Sequence, residues 1–500
     1  MASQWLLITT PPPSQEEILD SLAPRCVWIE VRLPLLVNPP DAQFPCWESL
    51  DVFEAINAHV SAQVRTFFNA VRARQDMYPA EDDVRCEIKI CEQRFGLSKG
   101  GDCWHRTFHT RRLTVQSPDT LPLLDLVTEL CIFSETKEMD VNVRPLSPRV
   151  PLDLATRLPH LRKLECPCLW ERHPIAFVSQ ALRKFGRVWA GPWRDSRAEF
   201  ARGVHDTMPL FPTSLTKARL WFWEAQTYGG DMDQTTQMPD LVSVTREFEG
   251  KDPVSLGLRT LGSRLEELDV RAFITPDLFP ADSSATGHCW PTMRQLKVEF
   301  HPCAPDGRWY FSGPRGEDPY PAGFVITQEE HYPPGQDDDE ELHDLLSDET
   351  EEWSHTGDAL WELYRPDMFR ILPIAERMNP LLLAFASSIQ RDKMPCLQDA
   401  ELFTWLKWHP SEERAHEYTG SDDAPHFNED EPTTMFRWGL RYDGPQEGGD
   451  GKGKLTWQVG RSWKPGPEVM EAFEELVGVN TEWKEIEFVE HRDRDYENYF

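Results

Sequence analysis

The sequence predicts an α/β fold: an irregular stack of short, mostly parallel strands and helices that ends in a C-terminal cap of hairpin, helix and strand. Three observations predict it. A six-residue pattern (apolar, two polar, apolar, polar, apolar) occurs in five clear copies. Helical segments separate the copies, and 500 residues at 40% apolar content can bury a large core. Stacked units of this kind usually bind partners rather than turn over substrates.

The N-terminal part begins with a Pro-rich lead, residues 1–25, and then alternates strands with a helix. Cys26–Leu33 has apolar side chains at every second position, which predicts a strand. Asp51–Arg74 has its apolar side chains on one helical face and is predicted to be an amphipathic helix. Further strands are predicted near Val84–Ile90, Arg112–Val115 and Glu129–Phe133.

The repeated pattern predicts one strand in each copy, because its final alternation suits a strand that is buried on one face. The clear copies begin at Leu161, Leu215, Leu265, Met293 and Leu397, and weaker copies begin at Thr110 and Val127. Between them, Ile175–Phe185 is predicted to be helical. Asn379 is predicted to cap another helix, with Pro380 in its first turn and Leu381–Ile389 as its body.

The C-terminal end is predicted to form a cap. Met435–Tyr442 and Lys454–Gly460 both alternate and read as the two strands of a hairpin. A helix over Pro467–Val477 and a strand over Trp483–Val489 follow. A distinct terminal unit would cover the last open edge of a stack.

Composition divides the chain into five segments: a flexible lead (1–25), N-terminal α/β units (26–150), the central repeated units (151–327), an acidic insertion (328–357) and the final unit with its cap (358–500). The insertion contains Asp337–Glu341 and Asp348–Glu352, which are too charged to pack and predict a disordered segment. A second polar stretch covers residues 411–431.

The six-residue pattern also opens the leucine-rich repeat, in which an Asn follows three positions after the last apolar residue. The corresponding positions here hold Leu169, Trp223, Phe273, His301 and Trp405. The copies are also longer and less even than those of the standard horseshoe. The chain therefore resembles a degenerate, leucine-rich-repeat-like α/β stack.

A closer resemblance is carried by several runs between residues 155 and 320. They are Leu158–Leu164, Leu261–Val270, Leu278–Pro280, Trp290–Val298 and Pro305–Phe311. Together they resemble a group of large, uncharacterised F-box-type proteins of filamentous fungi, which implies a receptor for a protein substrate. Residues 1–25 lack the Leu-Pro lead and the leucine-rich helices of an F-box, so binding to the ubiquitin-ligase adaptor is not expected from them. Either the F-box is lost or the start of the chain is missing.

The charge and the cysteine content limit which partners and which cellular compartment are expected. The formal charge of −32 predicts repulsion from nucleic acids and from anionic membrane surfaces. No stretch approaches the roughly 20 apolar residues of a spanning helix. The 11 cysteines form no Cys-x-x-Cys pair, which favours a reducing compartment. We expect a cytoplasmic or nuclear protein that binds neither nucleic acid nor membrane.

Motifs with possible chemistry fit their structural contexts poorly, so no catalytic, cofactor-binding or metal-binding residue is predicted and no cofactor is expected. A zinc cluster would need spacings that these residues lack: Cys86, Cys91, Cys103, His105 and His109, or the weaker set His288, Cys289, His301 and Cys303. Gly96–Gly100 spells a nucleophile elbow but precedes another strand. Gly448–Lys454 nearly spells a phosphate loop, although Leu455 replaces the magnesium-binding hydroxyl.

The favoured function is a non-enzymatic protein–protein interaction module. Nineteen tryptophans are many for this length, and rings on a strand face could form a binding groove. We predict that the partner, an unknown protein, contacts Trp223, Phe273, His301 and Trp309. The alternative is a hydrolase or carbohydrate-binding protein with an aromatic-lined, acidic cleft.

Overall fold

A computed structural model confirms the α/β class, with short and mostly parallel strands between helices. The structure describes residues 28–32, 36–37, 50–77, 86–91, 93–96, 112–133, 143–144, 146–167, 169, 171, 187–223, 233–242, 246–279, 289–332, 366–419, 434–445, 453–460, 463–476, 480–484 and 488–490. The chain divides into two compact units. Unit 1 comprises Met1–His173, Arg183–Thr227 and Thr327–Glu351, and unit 2 comprises Pro174–Leu182, Tyr228–Ile326 and Glu352–Phe500.

Unit 1 contains eight described strands and three α-helices. The strands are β1 (Trp28–Arg32), β2 (Leu36–Val37), β3 (Cys86–Cys91), β4 (Gln93–Gly96), β5 (Val127–Phe133), β6 (Val143–Arg144), β7 (Lys163–Cys166) and β8 (Lys217–Trp221). The helices are α1 (Leu50–Met77), α2 (Val150–Ala155) and α3 (Ala190–Thr207). Strands β1, β3, β5, β7 and β8 are neighbours in that order, and each pair is parallel. The predicted first strand and the long amphipathic helix are confirmed by β1 and α1.

Unit 2 contains nine described strands and four α-helices. The strands are β9 (Glu267–Ala272), β10 (Gln295–Phe300), β11 (Phe311–Ser312), β12 (Leu372–Pro373), β13 (Asp399–Trp408), β14 (Thr434–Asp443), β15 (Lys454–Gln458), β16 (Asn480–Trp483) and β17 (Phe488–Glu490). The helices are α4 (Pro253–Gly262), α5 (Ala375–Ser388), α6 (Glu412–Tyr418) and α7 (Pro467–Glu474). Strand β10 is parallel to β9 and β13, whereas β14 is antiparallel to β13, β15 and β17.

The repeated pattern has a common backbone geometry. Before each strand, the N–H of the first apolar residue donates to the carbonyl oxygen three residues earlier. The donor and acceptor pairs are Val127 and Leu124, Leu161 and Leu158, Leu215 and Pro212, Leu265 and Gly262, Met293 and Trp290, and Leu397 and Met394. Each copy therefore enters its strand through the same tight turn, and the weak copy at Val127 belongs to the series.

The copies also stack in the register that the pattern predicts. In unit 1, Leu164 lies beside Leu130 on one side and Ala218 on the other. In unit 2, Leu296 lies between Leu268 and Ala400. These apolar side chains are buried and line one face of the strands in each unit, so the core lies behind the strands.

The prediction that the weak copy at Thr110 forms a strand of the sheet is wrong. In the predicted strand Arg112–Val115, Leu113 makes only an isolated bridge to Leu146. The reason lies in α1, whose side chains bind this backbone instead. The N–H of Thr114 donates to Asn57 Oδ1 at 2.8 Å, and the N–H of Gln116 donates to Ser61 Oγ at 2.8 Å.

Two further boundaries need correction. Helix α5 begins at Ala375 and contains Pro380, and the Asn379 side chain does not cap it. That amide instead donates from Nδ2 to Glu468 Oε1 of α7 at 2.9 Å. The predicted strand Trp483–Val489 is two strands, because β16 pairs with β15 whereas β17 pairs with β14. The predicted hairpin is confirmed by β14 and β15, and α7 follows it.

Some predictions lie outside the described residues. These are the helix over Ile175–Phe185, most of the acidic insertion, Ser98 in the elbow-like motif, Cys103, His105 and His109 of the zinc-like set, and most of the glycine-rich run from Gly448.

Candidate functional site

Three of the four residues predicted to bind a partner lie together in unit 2. The rings of Phe273 and His301 stack with centroids 3.9 Å apart and planes 18° apart. The ring centroid of Trp309 lies 6.2 Å from that of His301. Trp223 belongs to unit 1 and follows β8. The first three residues therefore form one aromatic cluster, which we call the ring stack.

The repeat geometry creates the ring stack. Phe273 follows β9 and His301 follows β10, at the position where a leucine-rich repeat has Asn. The His301 N–H donates to the Ala272 carbonyl at 3.1 Å, and His301 Nδ1 accepts from the Cys303 N–H at 3.0 Å. Since Nδ1 accepts a backbone hydrogen, the neutral imidazole carries its proton on Nε2. Stacked rings thus occupy the loop positions where amides would form a ladder.

The ring stack is buried. Phe273 and Trp309 are each 2% exposed, and His301 is 7% exposed, whereas Trp223 is half-buried. The rings of Phe273, His301 and Trp309 pack against one another within unit 2, as expected of large rings in a core. A binding role for these four residues stays a prediction.

A charged network lies next to the ring stack. The guanidinium carbon of Arg370 lies 5.0 Å from the Trp309 ring centroid. Asp318 accepts from Arg370 Nη1 at one oxygen and from Arg377 Nη2 at the other, both at 2.7 Å. Arg377 Nη1 also donates to the Trp309 carbonyl at 2.7 Å. Burial lowers the pKa of Arg370, although the bond to Asp318 opposes this shift.

The opposite side of the strands carries charge. One position on each of five strands, together with Thr456, forms a row that runs across unit 2 and that we call the charge row. Its members, in spatial order, are Asp269, Lys297, Glu401, Arg441, Thr456 and Glu482. All six are half-exposed or exposed. The signs of the charged members alternate from strand to strand, an arrangement that stabilises cross-strand pairs.

Glu401 lies at the centre of the charge row. Its Oε1 is 2.6 Å from Arg437 Nη2 and 3.9 Å from Arg441 Nη1. Arg441 Nε also contacts Asp443 Oδ1 at 2.8 Å. These contacts hold two arginines and two carboxylates on one surface of β13 and β14.

Phe403 lies on the same face of β13 as Glu401 but is buried, at 1% exposed. The Arg437 guanidinium lies 3.9 Å from its ring centroid, and Lys297 Nζ lies 5.8 Å from it. Gly439 faces Phe403 from β14, and a Cβ on Gly439 would lie 2.6 Å from the Phe403 Cα. Glycine is therefore required for the two backbones to approach this closely.

Two carboxyl groups also face each other on β13 and β14, two residues along each strand from Glu401 and Arg441. Asp399 on β13 lies opposite Asp443 on β14. Burial raises the pKa of Asp399, with smaller contributions from Asp443 and Glu401 and an opposing one from Arg441. Arg441 binds Asp443 and lies close to this pair, so a cation compensates the two carboxyl groups.

Five cysteines of the described part of the chain are not in disulfides: Cys131, Cys166, Cys289, Cys303 and Cys396. Burial raises the pKa of the Cys303 thiol well above its usual range, so it stays neutral. Within the described ranges, no three His, Cys, Asp or Glu side chains are grouped to hold a metal ion.

A comparison with models of protein families, with curated proteins and with solved structures found no match. None of the helices in the described ranges is long and apolar enough to cross a membrane.

Proposed function

We propose that this chain is a non-enzymatic protein-interaction module that binds a protein partner through the charge row. In this role it would act like the substrate-receptor region of the fungal F-box-type proteins that its sequence resembles. The five cysteines that are not in disulfides are compatible with our expectation of the cytoplasm or nucleus.

The order of charges across the strands carries the proposal. Asp269, Lys297, Glu401 and Arg441 come from four different strands, and the parallel and antiparallel registers place them in one row. The alternating charges nearly cancel, so the charge row has almost no net charge. A partner would recognise the order of its positive and negative side chains. A patterned surface favours one complementary protein over unspecific polyions.

The scaffold behind the row supports the proposal through rigidity. The apolar faces of β9, β10 and β13 are buried, and the ring stack fixes the loops that follow β9 and β10. A preorganised surface loses little conformational entropy when it binds.

The test reverses two charges of the row. The double variant Lys297→Glu, Arg441→Glu would be expressed as the full tagged chain in its own cells, and its co-purified proteins would be compared with those of the wild type. Arg391→Glu is the matched control, because Arg391 is exposed and lies near Tyr442, whose side chain is on the buried face. We expect the double variant to lose proteins that the control retains. Circular dichroism would check that both variants fold.

The same preparation separates the remaining hypotheses. Recovery of a ligase adaptor and a cullin would connect the module to ubiquitin transfer, whereas other partners would define a stand-alone binding module. If the double variant retains every partner of the wild type, the charge row is not the binding surface. Turnover of a glycoside or ester that is lost in Asp399→Asn would favour the alternative, a hydrolase.

A further inference from the structure

A loop of unit 2 exposes an uninterrupted apolar run. Pro319, Tyr320, Pro321 and Ala322 are consecutive and all exposed, with Tyr320 39% exposed. Val325, three residues further on, is 75% exposed. Exposed runs of three or four consecutive apolar residues often mark interaction sites.

The loop is held by the buried charges beside the ring stack. Asp318, directly before the run, binds both Arg370 and Arg377 at 2.7 Å. The Arg370 side chain is fully buried, and it also donates from Nη1 to the Phe311 carbonyl at 3.1 Å. Because a buried arginine is costly to desolvate, this network is a poor way to gain stability alone.

Further contacts fix the run itself. Arg377 Nη2 donates to the Pro321 carbonyl at 3.2 Å, and Gln237 Nε2 donates to the Ala322 carbonyl at 3.1 Å. The Phe324 N–H donates to the Met238 carbonyl at 2.9 Å. The loop is thus bonded through the Asp318 side chain before Tyr320 and through its backbone after Tyr320, while Tyr320 itself is 39% exposed.

The two prolines add stiffness. Pro319 and Pro321 fix their own φ angles and restrict the residues before them, which include Tyr320. A rigid tyrosine gives a large contact area at low entropic cost, and aromatic residues of this kind dominate binding energies at interfaces. The anchor and the prolines together constrain the backbone from which the Tyr320 side chain projects.

We propose that Pro319–Ala322 is a docking loop that inserts Tyr320 into an apolar pocket of a protein partner. The net charge of −32 argues against an anionic membrane and against a second copy of this chain, and it favours a pocket with a basic rim. This inference does not depend on the charge row, because the loop and the row use different residues and are tested by different variants.

The test places a photo-crosslinking amino acid at position 320 in the full chain, in its own cells. A crosslinked protein would be purified and titrated calorimetrically against wild type, Tyr320→Ala and Leu210→Ala. Leu210 is the matched control, because it is apolar and 65% exposed but lies in unit 1. We expect Tyr320→Ala to raise the Kd on the order of tenfold or more, as truncation of an anchoring aromatic residue does, and Leu210→Ala to leave it unchanged.

Any one of four results would overturn the docking loop. The Kd of the purified partner is the same for Tyr320→Ala and the wild type, or the crosslink joins two copies of this chain, or position 320 captures no protein. Co-sedimentation with phosphatidylserine vesicles that requires Tyr320 would assign the loop to membranes and would also contradict the proposal.

Discussion

The imidazole of His301 lies parallel to the ring of Phe273, with 3.9 Å between their centroids. The two residues hold equivalent positions in neighbouring copies of the repeat, directly after β9 and β10. In this protein, ring stacking therefore connects the loops that amide side chains would connect in a regular leucine-rich repeat.

Phe273→Ala should lower the free energy of unfolding by about 3–5 kcal/mol, since it leaves a cavity under His301 and removes the stack. Phe273→Leu should lower it less, because most of the buried volume remains. Urea denaturation followed by tryptophan fluorescence would measure both variants. Equal effects of the two variants would contradict this, because they would show that the ring stack, which both variants remove, outweighs the buried volume.

Removal of the Asp318 side chain should strongly lower the free energy of unfolding, because it leaves two arginines without their shared carboxylate. We expect Asp318→Ala to cost about 3–5 kcal/mol, the range for breaking a buried charge pair. Asp306→Ala removes the partner of Arg308, which is 53% exposed, and should cost about 0–1 kcal/mol. Similar losses in the two variants would mean that the buried network does not anchor the loop.

Gly439→Ala should be destabilising by about 1–3 kcal/mol, as overpacking is, because the new Cβ would press on the Phe403 backbone. Thr456→Ala, on the adjacent strand β15, is the control and should have little effect. Thermal unfolding of both variants would measure the difference. An unchanged Tm for Gly439→Ala would show that β13 and β14 separate easily at this point.

The sequence allowed the strands to be predicted because burial of one face imposes a two-residue period on each copy. Leu164 and Ala218, for example, align in the pattern and in the sheet. The anchor of the docking loop could not be predicted, because Asp318 lies 52 residues from Arg370 and 59 from Arg377. The prediction that Asn379 caps a helix was wrong because its amide binds Glu468. That residue is distant in the sequence, and helix-capping preferences consider only neighbouring residues.

The stability of unit 1 should fall in mild acid because of His331. This buried imidazole accepts the Thr327 N–H at Nδ1, 3.0 Å away, and the Gly191 N–H of α3 donates to its carbonyl at 2.8 Å. Burial, Arg187 and Arg194 lower its pKa from 6.5, and Glu330 opposes this shift. A proton on Nδ1 would displace the Thr327 N–H.

The direction of this pH dependence follows from the difference between the pKa of His331 in the folded and in the unfolded chain. The unfolded chain protonates at about 6.5, above the folded pKa, so the contribution of His331 is complete above that pH. It is lost as the pH falls from 6.5 toward the folded pKa. Urea midpoints between pH 7.5 and pH 5 should therefore decline more steeply for the wild type than for His331→Asn, whose amide oxygen can still accept the Thr327 hydrogen. Equal slopes would exclude His331 as the cause.

Carboxyl footprinting of the charge row tests the central claim most directly. The chain, alone and bound to a partner recovered from its cells, would be labelled with a carbodiimide and an amine, and the labelled residues would be quantified by mass spectrometry. We predict that binding reduces labelling of Asp269, Glu401 and Glu482, the carboxylates of the charge row, whereas the exposed Glu412 and Glu417 of α6 label equally in both states. Unchanged labelling across the charge row, with protection elsewhere, would contradict the assignment of the strand face as the binding surface.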